Sequence, residues 1–258
     1  MALSYPSEPP VAVHPKLPAP LAPRLWAWWA ALLLVPAAFL VQVIVGVMAI
    51  IGLGILGAMG HEQLAETWQW PLVTVAGSMG FLGLLLLTRL KPGTKPLWDS
   101  RDLKDWRNWV LALGALLFSA AANIARIWVE QDPAIPDLNQ QVLEMLETSP
   151  STPWGPLLTL GVAVVILAPL TEEWFFRGLL LPAIQRAFGG RWTWLGPWVA
   201  VPVSSVIFGL LHWPVWWVPG IYGAVIGLLS LRQRSLAMPM LVHFTINLTV
   251  FSMLLGAG

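Results

Sequence analysis

Two adjacent carboxylates and an arginine, Glu172, Glu173 and Arg177, interrupt a strongly apolar stretch that begins near Pro156. If this stretch crosses a membrane as a helix, the three side chains lie at the depth of the hydrocarbon. A charged side chain there costs roughly 2.5–3.5 kcal/mol on insertion scales and is seldom kept without a partner or a function. The rest of the chain should therefore supply one or the other.

Helical spacing separates the two glutamates. Glu173 and Arg177 are four residues apart, with the acid before the base, which is the favourable order for an ion pair on one helix. Their spacing predicts a structural ion pair. Glu172 points about 100° away from Glu173 around the same helix, so it has no partner there. Glu172 is thus the carboxylate that is left for chemistry.

Two more polar pairs follow at the same spacing, Phe208 with His212 and His243 with Asn247. With Glu172, these side chains can point into one cavity between helices. A carboxylate and an imidazole beside a water molecule make a general base. A second imidazole and an amide can donate hydrogen bonds to a developing oxyanion. This set predicts hydrolysis of an amide bond by water, without a serine or cysteine nucleophile.

The same residues form three short motifs: E-E-x-x-x-R at 172–177, F-x-x-x-H at 208–212 and H-x-x-x-N at 243–247. In this order and spacing they resemble the motifs of the CAAX protease and bacteriocin-processing family (CPBP, also called Abi) of intramembrane proteases, which includes type II CAAX prenyl endopeptidases. The resemblance covers roughly residues 150–255. It implies catalytic roles for Glu172, His212, His243 and Asn247, and supporting roles for Glu173, Arg177 and Phe208.

By this resemblance, Glu172 and His212 activate the water, and His243 and Asn247 stabilise the oxyanion. The family has also been described as metalloproteases, and Glu172, His212 and His243 would be the ligands if zinc were used. The chain has no H-E-x-x-H motif, and these ligands would come from three separate helices. We therefore expect metal-free chemistry that requires no cofactor, with zinc as the alternative.

Composition sets the class of protein. The chain is 57% hydrophobic and 10% charged, which is too apolar for a soluble domain, so we expect a multi-pass integral membrane protein. A net charge of +1 argues against a nucleic-acid partner, and the absence of cysteine excludes disulfides and thiol chemistry. The expected partners are the lipid bilayer and a membrane-associated peptide or protein substrate.

Apolar stretches predict an all-α, polytopic transmembrane bundle of about seven spans. Basic residues occur in alternate connections between the spans, so the positive-inside rule places the N-terminus in the cytoplasm, and the plasma membrane of a prokaryote is the expected location. The predicted spans are 26–57, 70–90, 108–129, 156–187, 198–213, 216–231 and 237–255.

The chain divides into four predicted regions. Residues 1–24 form a disordered, proline-rich cytoplasmic tail, and residues 25–130 contain the first three spans. Residues 131–155 form an extracytoplasmic loop with an amphipathic helix, and residues 156–258 form the catalytic core with spans four to seven.

The depth of His212 depends on where the fifth span begins. A helix from Trp194 would place His212 about 27 Å along the axis, whereas a start at Pro202 gives about 15 Å, near the middle of the bilayer. We therefore predict a start at Pro202, with residues 192–201 at the interface. In the next span, Gly223 and Gly227 form a G-x-x-x-G pattern that predicts close helix packing.

Two other functions use the same polar residues. Glu172 and the histidines could relay protons in a transporter. The chain could also be a non-catalytic immunity or scaffold protein that keeps the fold. The absence of an internal repeat argues against a transporter, and the complete set of motifs argues against a non-catalytic protein.

Overall fold

The computed structural model describes residues 28–88, 95–129, 154–189, 195–212 and 216–257. The predicted tail and residues 131–153 of the predicted loop lie outside these ranges. Helices in chain order are α1 (Trp28–Ala58), α2 (Glu62–Thr88), α3 (Ser100–Lys104), α4 (Trp106–Val129), α5 (residues 154–189), α6 (Leu195–Leu210), α7 (Trp217–Arg232) and α8 (Ala237–Ala257).

The predicted all-α membrane bundle is confirmed. Three helical stretches, Leu33–Ala58, Glu62–Leu86 and Trp154–Phe188, are long and apolar enough to cross a bilayer. Shorter apolar helices occur at Leu195–Leu210 and Trp217–Arg232, and a third forms most of α8. The chain is therefore an integral membrane protein.

Helix α6 begins at Leu195, so the predicted start at Pro202 is wrong. A proline inside a helix removes one backbone hydrogen bond and costs about 3 kcal/mol. The helix continues through Pro202 because its neighbours Ala200, Val201 and Phe208 are buried in the main core, while Pro202 itself is exposed. The longer helix still ends where His212 lies near Glu172, so these residues of the predicted site still meet.

Helix α5 is the centre of the bundle and contains two π-helical segments, Val162–Leu167 and Phe176–Leu180. They flank the α-helical segment Ala168–Phe175, which carries both glutamates. Segments of π-helix occur frequently at functional sites. Carbonyls in both accept hydrogen bonds from other elements: Val164 from the side chain of Asn247, and Gly178 from the backbone N–H of Lys95.

A row of four phenylalanines connects α2, α5 and α6. Phe81, Phe175, Phe176 and Phe208 contact one another edge to face, with ring centroids 5.3, 5.1 and 4.9 Å apart along the row. Each such pair contributes about 0.5–1.5 kcal/mol beyond the burial of its area. The row fixes α5 against its neighbours directly beside the glutamates.

Small residues allow α6 and α7 to pack closely. A Cβ added to Gly223 would lie 3.3 Å from both the Cα of Ser205 and a ring carbon of Phe208. A Cβ on Gly227 would lie 3.5 Å from Val201. The close packing predicted from the G-x-x-x-G pattern is therefore confirmed. Gly209 is tighter still, because its added Cβ would collide with the carbonyl oxygen of Trp216.

Candidate active site

Glu173 is fully buried and contacts both a cation and an imidazole. Arg177 Nη1 donates to Glu173 Oε1 over 2.9 Å, and His243 Nδ1 lies 2.8 Å from the same oxygen. Arg177 Nη2 also donates to the carbonyl of Gly223 in α7, over 3.1 Å. The predicted ion pair thus exists, and it also connects α5 to α7 and α8.

Phe208 lies among these charged and aromatic groups. The Arg177 guanidinium lies 4.9 Å from the centroid of its ring, within the range of a cation–π contact. The ring centroids of His212 and His243 lie 4.6 and 6.0 Å from that of Phe208. Phe208 therefore contacts the Arg177 guanidinium and packs near both imidazole rings.

Glu172 faces both histidines. Its Oε2 lies 3.9 Å from Nε2 of His212 and 3.9 Å from Nε2 of His243. These distances are too long for direct hydrogen bonds. The Oε2 atom is buried and has no hydrogen-bond partner in the part of the chain that the structure describes. Two acceptors 3.9 Å apart can share one water that bonds each of them at about 2.8 Å.

His212 is held by the end of its own helix. Its backbone N–H donates to the carbonyl of Gly209 over 2.8 Å, so the chain tightens into a turn after Leu210. Its ring Nδ1 lies 2.8 Å from the carbonyl oxygen of Phe208, which can only accept, so Nδ1 carries the proton and donates. In the neutral ring Nε2 is then an acceptor, and it is the atom that faces Glu172.

Asn247 lies one turn beyond His243 on α8. Its Nδ2 donates to the carbonyl of Val164 in the first π-helical segment, over 2.8 Å. An amide nitrogen carries two N–H groups, so one remains for another acceptor. The structure thus brings Glu172, His212 and His243 together, and it fixes the Asn247 side chain against α5.

A cavity of about 80 Å³ opens beside Glu172 and His212. Helix α1 contributes Val35, Ala38, Phe39 and Gln42 to its wall. The sequence predictions gave α1 no role at the site. Gln42 is the lone polar side chain between Leu33 and Ala58, and a polar residue inside such a span is a signal that points to function.

The helix that carries His243 is anchored at its start by Asp102. This buried carboxylate accepts from the backbone N–H of Ser235 over 2.8 Å, from its hydroxyl over 2.7 Å, and from the backbone N–H of Arg234. The backbone N–H of Leu236 donates to the carbonyl of Pro96 over 2.9 Å. Residues outside the three motifs therefore set the position of α8.

Lys95 is attached to the end of α7 next to this anchor. Its ammonium donates to the carbonyl oxygen of Ser230 and lies 3.3 Å from the Ser230 hydroxyl. Burial lowers the pKa of Lys95 from 10.5 to about 8, and the nearby Asp102 carboxylate opposes this change.

The possible zinc ligands do not form a ready metal site. Within the described ranges, no group of three His, Cys, Asp or Glu side chains is arranged to hold a metal ion. His243 Nδ1 contacts Glu173 and His212 Nδ1 contacts a carbonyl, so Nε2 of each ring faces Glu172.

Within the helical membrane bundle, the Glu172 carboxylate thus lies beside two imidazoles. Residues 153–249 match the family model described as type II CAAX prenyl endopeptidase Rce1-like. The resemblance inferred from the three motifs is confirmed for this segment of the chain, which is similar to that family of intramembrane proteases. No curated protein and no solved structure matches the chain.

Proposed function

We propose that the protein is an intramembrane endopeptidase that hydrolyses a peptide bond of a membrane-associated peptide or protein. The observation that carries the proposal is the position of Glu172 Oε2, 3.9 Å from Nε2 of both histidines and without a direct hydrogen bond. Inside a bilayer an unpaired carboxylate is costly, and a water between Glu172 and His212 would satisfy both groups.

The water is the nucleophile in this proposal. It donates hydrogen bonds to Glu172 Oε2 and His212 Nε2, both of which are acceptors. As the water oxygen attacks the scissile carbonyl carbon, one of its protons passes to Glu172, and the carbonyl oxygen becomes an oxyanion. General-base assistance of this kind accelerates a reaction by about 10²–10⁴-fold.

His243 and Asn247 are the proposed donors to the oxyanion. Nδ1 of His243 donates to Glu173, so Nε2 must carry a second proton to act as a donor. Asn247 uses the N–H that is not bonded to Val164. When the intermediate collapses, the C–N bond breaks and the leaving nitrogen takes the proton from Glu172. The products have one new carboxyl terminus and one new amino terminus.

The proposed chemistry uses no metal, and zinc held by Glu172, His212 and His243 is the alternative. The protein is proposed to lie in the plasma membrane of a prokaryote, with the N-terminus and the site on the cytoplasmic side. This orientation is supported by the alternation of basic and non-basic connections.

The test is cleavage of a library of bilayer-anchored peptides by the purified protein in lipid vesicles. Glu172→Gln and His212→Ala should each lower the cleavage rate by about 10²-fold or more, because each removes part of the general base. Glu66→Gln makes the same acid-to-amide change at an exposed position of α2 and should retain the full rate. Cleavage of no peptide by the wild type, or full activity of Glu172→Gln, would overturn the proposal.

A further inference from the structure

The side chain of Asn247 is held by one backbone carbonyl of α5. Its Nδ2 donates to the carbonyl oxygen of Val164 over 2.8 Å, and Val164 lies in the first π-helical segment. A carbonyl inside a helix ordinarily accepts from an N–H further along the same helix. Why this carbonyl accepts from a side chain of α8 instead follows from the local register and from one residue of α5.

The register of the π-helical segment removes one donor from Val164. The backbone N–H of Ala168 donates to the carbonyl of Ala163, five residues earlier. In an α-helix the same N–H would donate to Val164, which lies four residues earlier. Because Ala168 is bonded to Ala163, Val164 has no donor in the α-helical register.

Pro169 removes the other donor. In the π-helical register, the carbonyl of Val164 would accept from the backbone N–H of residue 169, five residues further on. That residue is a buried proline, and proline has no backbone N–H. Lipid supplies no donor either, and a carbonyl without a partner is costly inside a bilayer. The Asn247 amide therefore takes the place of the N–H that Pro169 lacks.

The bond to Val164 determines what remains of the Asn247 amide for chemistry. A carboxamide nitrogen carries two N–H groups in one plane, so bonding one of them to Val164 fixes the direction of the other. A donor to a developing oxyanion is effective when it is held in place before the reaction begins. A proline in α5 thus controls the orientation of a polar group on α8.

We propose that Pro169 is a positioning residue of the active site: it withholds a backbone N–H from Val164, and the free carbonyl holds the Asn247 amide with its second N–H directed to the oxyanion. The proposal rests on the proposed endopeptidase function, since it assigns the orientation of one of the two oxyanion donors. Pro169 acts through Asn247 and takes no part in proton transfer.

The first test restores the missing N–H. In Pro169→Ala the new N–H can donate to Val164 and competes with Asn247 for the carbonyl, so the amide loses its fixed direction. We expect kcat to fall about tenfold, less than the roughly 10²–10³-fold that loss of a whole oxyanion donor costs, with KM within about twofold of the wild type. Pro71→Ala makes the same change at a buried residue inside α2 that does not line the cavity, and it should leave kcat unchanged.

A double-mutant cycle shows whether Pro169 acts through Asn247. Asn247→Ala removes the donor and should lower kcat by about 10²-fold. Adding Pro169→Ala to Asn247→Ala should then have no further effect, because the group that Pro169 directs is gone. A merely structural role of Pro169 would lower kcat by the same factor in both backgrounds.

A second variant separates the N–H from the proline ring. Residue 169 is replaced by N-methylalanine, using chemically acylated tRNA in cell-free synthesis into lipid vesicles. N-methylalanine differs from alanine by a methyl group in place of the amide hydrogen, so it lacks both the donor and the ring. Pro169→N-methylalanine should keep kcat within about twofold of the wild type, in contrast to Pro169→Ala.

The Asn247 amide can also be observed without any cleavage. Incorporation of ¹⁵N-asparagine gives side-chain NH₂ signals in NMR spectra, and the signal that disappears in Asn247→Ala is that of Asn247. This signal should move in Pro169→Ala and keep its wild-type position in Pro169→N-methylalanine and in Pro71→Ala. Asn108, whose Nδ2 donates to the carbonyl of Asp102 over 2.7 Å, is an internal reference that should not change.

The outcomes separate the two proposals. An Asn247 signal that is the same in Pro169→Ala and in the wild type overturns the positioning role, whether or not peptides are cleaved. Full kcat in Pro169→Ala, or a further loss when it is added to Asn247→Ala, also overturns that role and leaves the endopeptidase intact. Loss of kcat in Pro169→N-methylalanine overturns it as well, even if Pro169→Ala does not fold. An Asn247 signal that moves in Pro169→Ala, when the wild type cleaves no peptide, supports the control of Asn247 by Pro169 and overturns the endopeptidase.

Discussion

Glu173 and Glu172 are neighbours in sequence, and their surroundings give them different tasks. Glu173 is fully enclosed and bonded to Arg177 and His243, whereas Glu172 faces a cavity. The helical offset between adjacent residues produces this division. Glu173 holds the His243 imidazole in place, and Glu172 remains open to the cavity.

Replacing Glu173 by glutamine should therefore affect the free energy of unfolding more than the cleavage rate of the folded protein. Glu173→Gln leaves the Arg177 charge buried without its counterion, and breaking a buried pair in this way typically costs 3–5 kcal/mol. We expect a lower free energy of unfolding in detergent, and a smaller loss of cleavage rate per folded molecule than Glu172→Gln shows. Glu66→Gln serves as the control for the amide change. A Glu173→Gln protein as stable as the wild type would contradict the structural role.

A chelator distinguishes the two forms of water activation. If Glu172 and His212 act directly, cleavage should survive prolonged dialysis against a strong chelator. Loss of activity that returns on addition of zinc would show that Glu172, His212 and His243 serve as ligands instead.

At this scale the sequence predicts the meeting of Glu172 with two histidines, because the resemblance of the three motifs to one family implies that they share a site. It does not predict the Glu173–His243 hydrogen bond or the place of Gln42. Both depend on how helices distant in the chain pack together, and the periodicity of one helix carries no information about its neighbours.

Among the elements, the crossing of α6 and α7 positions both His212 and the carbonyl that binds Arg177. This crossing depends on glycines whose hydrogen atoms face the partner backbone. Gly209 is the tightest of them, with the carbonyl of Trp216 in the path of any added Cβ.

Gly209→Ala should therefore force α6 and α7 apart. We expect it to lower the free energy of unfolding by roughly 1–3 kcal/mol and to reduce the cleavage rate, because His212 follows directly on this turn. Gly83→Ala on α2 is the matched control, since nothing lies within 4 Å of its added Cβ. It should be neutral or stabilise the helix by up to about 1 kcal/mol. Equal thermal unfolding of the two variants would refute the packing argument.

The helices themselves were predictable from apolar runs, and the seven predicted spans each coincide with a helix. The start of α6 was not predictable in this way, because burial of Ala200 and Val201 outweighs the local preference of Pro202 for a helix start. The π-helical segments were also missed. Their composition, Val162–Leu167 above all, is indistinguishable from that of an ordinary apolar α-helix.

For the whole molecule, residues 95–104, which comprise α3 and the chain just before it, join the end of α7 to the start of α8. Lys95 binds the end of α7, and Asp102 holds the start of α8. This part of the chain lies outside the segment that matches the protease family, and it contains Lys95, whose pKa is lowered by burial.

The free energy of unfolding should rise between about pH 8 and pH 10.5 because Lys95 loses its proton in the folded protein. Its folded pKa, about 8, lies below the ordinary value of 10.5, so in this window the unfolded chain binds more protons than the folded one. Above about pH 10.5, this increase in the free energy of unfolding approaches roughly 3 kcal/mol. Chemical denaturation of the wild type and of Lys95→Met at pH 7.5 and pH 10 measures it. The variant should lack this part of the rise, and an identical rise in both proteins would exclude Lys95 as its source.

The two π-helical segments have a consequence for how the chain tolerates change in length. Deleting one residue from Val162–Leu167 would be absorbed there by a return to α-helix, because a π-helical turn holds about one residue more than an α-helical turn. Deleting one of residues 168–171 would instead turn everything after it by about 100° and draw it back by about 1.5 Å. Both glutamates would then leave their histidines, although every motif letter remained intact. The number of residues in α5, as much as their identity, determines whether the two glutamates lie beside the histidines.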